Sequence, residues 1–514
     1  MSKTTVNNKR IAKNTLFLYF RTILLIIISL YTSRVILNVL GVNDFGVYNV
    51  VGGAVSMFAV LTGALSASIS RYITYELGKD ANEKRLALVF STSIRIQLII
   101  GGIIFVLGET LGLWFVNTQL NIPIDRLSSA NWILHCSLVA FFVNLISVPY
   151  NALIIAHERM NTFAFVSILD AILKLLICYM LVVSPWDKLK TYAVLHVVVA
   201  VFIRFVYSFY CHRNFVECRY ENSRDKSLVK EMMSFASFSF LNNAANILNS
   251  QGLNMLINIF YGVVFNAARG IATQVEGVIL HLVNNFTLAV NPQITKSYAA
   301  NDMKRMFQLV CSGSKYAYFM LIFLAIPVFL EAEFILKLWL KNVPNYTVVF
   351  LRLSIIGGMV KMLGNTGFTA CMATGRIKDY SIWITAVGIL AFPLTWLVFS
   401  LGAPAEAAYY VFIGVYIVVE IVRLLLMKQM LGFPPMMFFK KVIVRIGIVT
   451  PVVSALPILC TFSFEPGWQR AIVTTFMSIA CTSIGVYALG LTSSERNYVS
   501  KYIISKIKSK KERQ

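Results

Sequence analysis

Six side chains able to hold a polar ligand recur along one stretch of this sequence: Arg269, Thr273, Glu276, Asn284, Thr287 and Asn291. At 100° per residue they fall within about 80° of one another, so a helix over 265–292 carries them as a single stripe. The stretch before it, 233–260, puts Asn242, Asn246, Asn249 and Ser250 on one face, with Asn243 and Asn254 at its edge. Amides and hydroxyls on one face can line a cavity for a polyhydroxylated, sugar-like ligand. They can equally tie one helix to the next, and the sequence leaves both readings open.

Cations set among apolar residues narrow the ligand class. Arg21, Arg34, Arg95, Lys174, Arg269, Lys315, Arg352 and Lys361 all lie inside long apolar runs, against three acids, Asp170, Glu276 and Glu420. Arginine keeps its charge when buried and binds phosphate oxygens through two parallel N–H groups, so a basic cavity suits a phosphate-bearing substrate. Simpler roles exist for some. Lys174 can pair with Asp170 one turn away, and Arg95 and Arg352 can reach toward the interface. Arg21 and Arg269 are the hardest to explain that way. His135, His196 and His281 stand singly and read as structural. No Walker A, G-x-S-x-G or metal-spaced His/Cys pattern occurs, so neither an enzyme nor a cofactor is expected. The eight cysteines form no C-x-x-C pair and read as small buried residues.

The elements that must position these groups are membrane helices. The chain has 514 residues, 58% hydrophobic and only 13% charged, with a mean hydropathy of +0.71. A soluble chain is nearer 45–50% apolar and about 25% charged. Runs of roughly 20 apolar residues, enough to cross about 30 Å of hydrocarbon, recur throughout. The expected spans are 12–38, 46–70, 88–116, 131–156, 162–183, 191–211, 233–260, 265–292, 309–330, 346–373, 380–401, 406–428, 442–462 and 470–491. The first run reads as a retained span, not a signal peptide.

Charge then orients the bundle. With the N-terminus inside, the outer connections hold only Arg126, Lys188, Lys190, Lys337, Lys341 and Arg470. The inner ones hold most of the remaining lysine and arginine, including Lys79, Lys84, Arg85, Arg159, Arg213, Lys226, Lys230, Lys304, Arg376, Lys440 and Lys441. Both termini are therefore expected on the cytoplasmic side of the membrane. The net charge of +23 is chiefly this asymmetry, not a nucleic-acid surface. The tail at 493–514 is expected to lie against anionic lipid.

The second half echoes the first at an offset of 221 residues. The stretch from Gly41 (GVNDFGVYNVVGG) aligns with that from Gly262 (GVVFNAARGIATQ), Ile73-Thr74 with Ile294-Thr295, and Leu88–Ser93 with Leu309–Ser314. The expected organisation is an N-terminal six-helix lobe (1–211), a cytoplasmic linker (212–232), a C-terminal six-helix lobe (233–430), two further helices (431–492) and the basic tail. Two six-helix units of like orientation follow the parallel-repeat logic of transporters.

The segment Asn14–Gly53 (NTLFLYFRTILLIIISLYTSRVILNVLGVNDFGVYNVVGG), with Ser68–Lys79 and Val148–Ile177, resembles the bacterial polysaccharide-repeat flippases. These are the O-antigen (Wzx-type) exporters of the multidrug/oligosaccharidyl-lipid/polysaccharide superfamily. The resemblance implies an all-helical fold with a V-shaped pair of lobes. It implies flipping of an undecaprenyl-diphosphate-linked oligosaccharide to the periplasmic leaflet, with a polysaccharide polymerase and a chain-length protein as partners. Arg21 and Arg34 carry over as cavity cations, because they lie in the matching segment. Arg269, Glu276, Asn242, Asn246, Asn249, Asn284 and Asn291 rest on the helical-face argument alone. A peptidoglycan-precursor flippase and a drug/cation antiporter are the alternatives within the superfamily. A polymerase is disfavoured, because no outer connection is long enough to carry a catalytic domain.

Overall fold

The computed structural model describes residues 3–58, 62, 65–66, 69, 72–73, 83–157, 159–219, 221, 225–233, 248–340, 342–374, 377–493 and 495–497. Every described element is helical. Inside a bilayer this is dictated by the backbone, because a helix satisfies its own N–H and C=O groups where no water can.

In chain order, α1 spans Lys3–Ser56, α2 Glu83–Leu107, α3 Leu127–Ala156, α4 Met160–Val183, α5 Lys188–Asn214 and α6 Leu253–Tyr261. Then come α7 (Val263–Ala299), α8 (Met303–Leu330), α9 (Ala332–Trp339), α10 (Thr347–Met362), α11 (Asn365–Ala373) and α12 (Ile377–Ile389). The last are α13 (Ala391–Ser400), α14 (Ala407–Leu431), α15 (Val444–Ser463) and α16 (Trp468–Gly485). A π-turn at Gly108–Gly112 carries α2 on into a further helical stretch, Leu113–Thr118, and another, Leu248–Gly252, precedes α6.

Eleven helices among the described residues are long and apolar enough to cross a membrane. They correspond to expected spans 1, 3–6 and 9–14, so the count of fourteen is not reached. Each of the other three has its own reason. Span 2 begins within α1 and runs out of the described residues after 58. Half of span 7, residues 234–247, lies outside them. Span 8 is α7, whose 37 residues are more than enough in length. Its stripe of Arg, Glu and Asn makes it too polar to be one of the eleven.

The helix α1 is two helices joined at Gly41, where φ is 80° and ψ 173°. Gly262, which separates α6 from α7, has φ 86° and ψ −176°. Only glycine adopts this region readily. The two glycines are the aligned residues of the 221-residue repeat, so the sequence echo has a matching backbone joint in each copy.

Two compact units can be distinguished: residues 1–271 with 340–347 and 388–408, and residues 272–339 with 348–387 and 409–514. In the first, Val47, Val50, Val51, Val116, Ile133, Leu134 and Leu138 form one buried cluster. Leu253, Leu256, Ile257 and Phe399 form another. Its far end carries exposed tryptophans, Trp114, Trp132 and Trp186, as membrane interfaces do. There Arg126 bridges Asp44 at 3.1 Å and Asp187 at 3.0 Å. At the opposite end, residues of the 212–232 linker dock on α2: Arg85 pairs with Asp225 at 2.8 Å, and Arg95 donates to the Glu221 carbonyl at 2.8 Å.

In the second unit Val310, Ile322, Tyr380, Met427, Phe433 and Val449 are the buried centre. Lys315, almost wholly buried, pairs with Glu495 at 2.8 Å and so ties the residues after α16 to α8. Outward, both units present large apolar side chains such as Ile99, Phe205, Leu425 and Phe476. Apolar surface on that scale is stable against lipid, not water.

Candidate functional site

A cavity of about 550 Å³ opens within the first unit, walled by α1, α3, α4 and α5. The spacing of its lining residues follows from helix periodicity. The helix α1 contributes Arg21, Leu25, Ile28, Ser29 and Thr32; α3 Asn144, Ser147 and Asn151; α4 Ser167, Asp170 and Lys174; α5 Ile203 and Tyr207. Each set repeats at three or four residues, one face of its helix.

Charge and unmet polarity meet on this wall. Lys174 Nζ donates to Asp170 Oδ2 at 2.7 Å. The Arg21 guanidinium lies over the Phe163 ring, 4.4 Å from its centroid. Arg21 Nε, Thr32 Oγ1 and Asn151 Oδ1 are buried without a hydrogen-bond partner among the described residues. A buried donor or acceptor left unmet costs about 1–3 kcal/mol, so such groups on a cavity wall are suited to a ligand. Two cations and one carboxylate leave the wall net positive. The surrounding hydroxyls and amides offer donors to sugar or phosphate oxygens.

The sequence-expected residues are distributed as follows. Arg21 lines the cavity. Arg34, thirteen residues along α1, points about 140° away around the helix and does not line it. Arg269 is buried and donates to the Ser250 carbonyl at 3.0 Å, a carbonyl belonging to the π-turn before α6. Asn249 donates to the Gly388 carbonyl at 2.6 Å. Asn284 accepts from Asn365 Nδ2 at 3.0 Å, and the same amide reaches Thr287 at 3.3 Å. Asn291 keeps a buried Oδ1 without a partner among the described residues. Glu276 lies beside Gly358, where a Cβ would meet its Oε1 at 3.3 Å. Asn242 and Asn246 lie outside the described residues.

Most of the other deep cations are engaged internally. Arg352 donates to the Phe329 carbonyl at 3.0 Å, and Lys361 sits 5.5 Å from the centre of the Tyr416 ring. Arg423 binds Glu420 and donates to the Tyr380 hydroxyl at 2.7 Å. Among the described residues no group of three His, Cys, Asp or Glu could hold a metal ion. Asn144, Asn151, Thr32 and Tyr207 were not singled out by sequence reasoning. The available signal was the polar spacing 144, 147, 151 on α3 facing 167, 170, 174 on α4.

The helical architecture is that of known flippases and multidrug transporters. The lipid II flippase MurJ in an inward closed conformation superposes with a TM-score of 0.68 at 12% identity, over 92% of this chain and 98% of that one. The MATE multidrug transporter DinF-BH, solved as a complex, gives a TM-score of 0.60 at 15% identity, over 82% and 95%. A MOP superfamily transporter from Pyrococcus furiosus, described as having reversed binding-pocket polarity, gives 0.51 at 13% identity, over 80% and 95%. No curated protein matches the sequence. The family of polysaccharide biosynthesis proteins matches over residues 11–298, more than half of the chain, and the protein belongs to that family.

Proposed function

We propose that the protein flips an undecaprenyl-diphosphate-linked oligosaccharide repeat across the bacterial inner membrane, from the cytoplasmic to the periplasmic leaflet, by alternating access. The observation that supports this most is the cavity wall on which Arg21, with its unpartnered Nε, stands with Lys174 among hydroxyls and amides. A guanidinium suits a diphosphate, and the neutral groups suit sugar hydroxyls. Membership of a polysaccharide biosynthesis family supports the same substrate class. A cavity with more cations than acids is a poor match for cationic drugs.

The test is export in cells whose surface glycan depends on this chain. Arg21→Ala is expected to abolish surface polysaccharide at unchanged protein level. Arg21→Lys is expected to restore it partly, because charge returns without the planar fork. Normal export by Arg21→Ala would overturn the reading. A second reading, a flippase for a lipid-linked peptidoglycan precursor, is favoured by the likeness to the lipid II flippase along nearly the whole chain. It predicts that depleting the protein arrests wall synthesis and leaves surface glycan unchanged.

A further inference from the structure

Five asparagines join into one hydrogen-bonded chain at the end of the first unit that holds the Gly41 and Gly262 joints. The backbone N–H of Asn121, in the connection before α3, donates to Asn258 Oδ1 at 2.9 Å. Asn258 Nδ2 donates to Asn266 Oδ1 at 2.9 Å. Asn266 Nδ2 donates to the carbonyl and the side-chain oxygen of Asn254, at 2.7 and 2.8 Å. Asn254 Nδ2 then donates to the Asn49 carbonyl on α1 at 3.1 Å. Asn254, Asn258 and Asn266 are all buried.

The chain runs where the two repeat copies touch. A Cβ on Gly46 would fall on the Val263 carbonyl, and one on Gly270 would sit 2.8 Å from Asn49 Oδ1. Asn49 and Gly270 are equivalent positions, 221 residues apart. The first helices after the two joints therefore meet on residues related by the repeat, with no room for a sugar between them. The bonds that hold them are between neutral amides. A buried ion pair is costly to break because it strands charge. Amide pairs in membrane helices are individually weak and can be exchanged for water.

We propose that this asparagine chain is a latch that closes the outer end of the transport path and unzips when the substrate is released. The proposal rests on the alternating-access reading given above. It assigns a working part to Asn258 and Asn266, which that reading does not use.

Two measurements test it in a chain whose partly exposed cysteines, Cys460 and Cys481, are replaced by serine. The first places Ser29→Cys on the cavity wall and follows its labelling in whole cells by a membrane-impermeant maleimide. Asn258→Ala and Asn266→Ala are expected to speed labelling several-fold. Asn258→Ser serves if either variant fails to accumulate. The second oxidises the pair Asn49→Cys with Gly270→Cys, which is expected to cross-link readily, stop glycan export and release it on reduction. Unchanged labelling in the asparagine variants, or full export by the cross-linked chain, overturns the latch. Faster labelling in cells whose glycan never depended on the protein leaves the latch standing and removes the glycan reading.

Discussion

Lys174 is held by Asp170 at 2.7 Å on the cavity wall, so an incoming anion competes with a carboxylate already in place. Removing that carboxylate frees the ammonium and takes away a charge of the same sign as the ligand. Asp170→Asn is therefore expected to tighten binding of inorganic pyrophosphate to the purified protein by about tenfold or more. Lys174→Ala is expected to weaken it, and titration calorimetry reads both. Equal affinity in all three proteins would place the anion elsewhere.

Glu495 offers a pH test outside the spans. Burial alone would raise its pKa, but hydrogen bonds from Lys315, Tyr316 and the Thr492 N–H bring it down from 4.5 to about 2. A depressed carboxylate stabilises the fold above its unfolded value, and that contribution fades as pH falls through the folded one. The thermal stability of the purified protein should thus lose the contribution of this tie between pH 4.5 and about 2. Glu495→Gln should be less stable at neutral pH and lack that component of the acid loss.

At the scale of elements, the two joints carry the clearest expectation. Gly41 and Gly262 hold backbone angles that any Cβ resists, so Gly41→Ala and Gly262→Ala should each cost about 1–3 kcal/mol. Gly277, inside α7 with open space around its would-be Cβ, is the control. Gly277→Ala should be neutral or stabilising by up to about 1 kcal/mol. Denaturation midpoints in detergent separate the three. These joints were legible in the sequence as aligned glycines, because a repeat preserves the residue that its backbone requires. The helices were legible because each apolar run is long enough to span the hydrocarbon by itself. Less of the site could be read. Arg21 shows itself as a cation in an apolar run, but Asn144, Asn151 and Thr32 are ordinary polar residues until four helices bring them to one wall. Arg269 looked like Arg21, yet it donates to a backbone carbonyl presented by a π-turn, which no residue pattern announces. The asparagine chain was hidden for the same reason, since Asn121, Asn258 and Asn266 lie in three different segments.

For the molecule as a whole, the sidedness of the cations is the property on which the proposed orientation in the membrane rests. In the first unit, the end with Trp114, Trp132 and Trp186 carries Arg126, Lys188 and Lys190. Arg126 bridges Asp44 and Asp187 there, and Lys190 reaches Ser128 at 3.0 Å. The opposite end of that unit holds the linker cations around Arg85, and in the second unit Lys440 and Lys441 are exposed. Cations at that density stay on the cytoplasmic side during insertion, whereas a few do not decide orientation. In the proposed orientation the latch and the joints face the periplasm, and the linker docked on α2 faces the cytoplasm. Alkaline phosphatase inserted between Asn121 and Asp125 should be active, and the same enzyme fused after Gln514 should be inactive. A fluorescent protein at Gln514 should mature, as it does only in the cytoplasm. The reverse pattern would put the asparagine latch on the side where the lipid-linked glycan is made, and the chain would then have to release its substrate through the end that holds the linker.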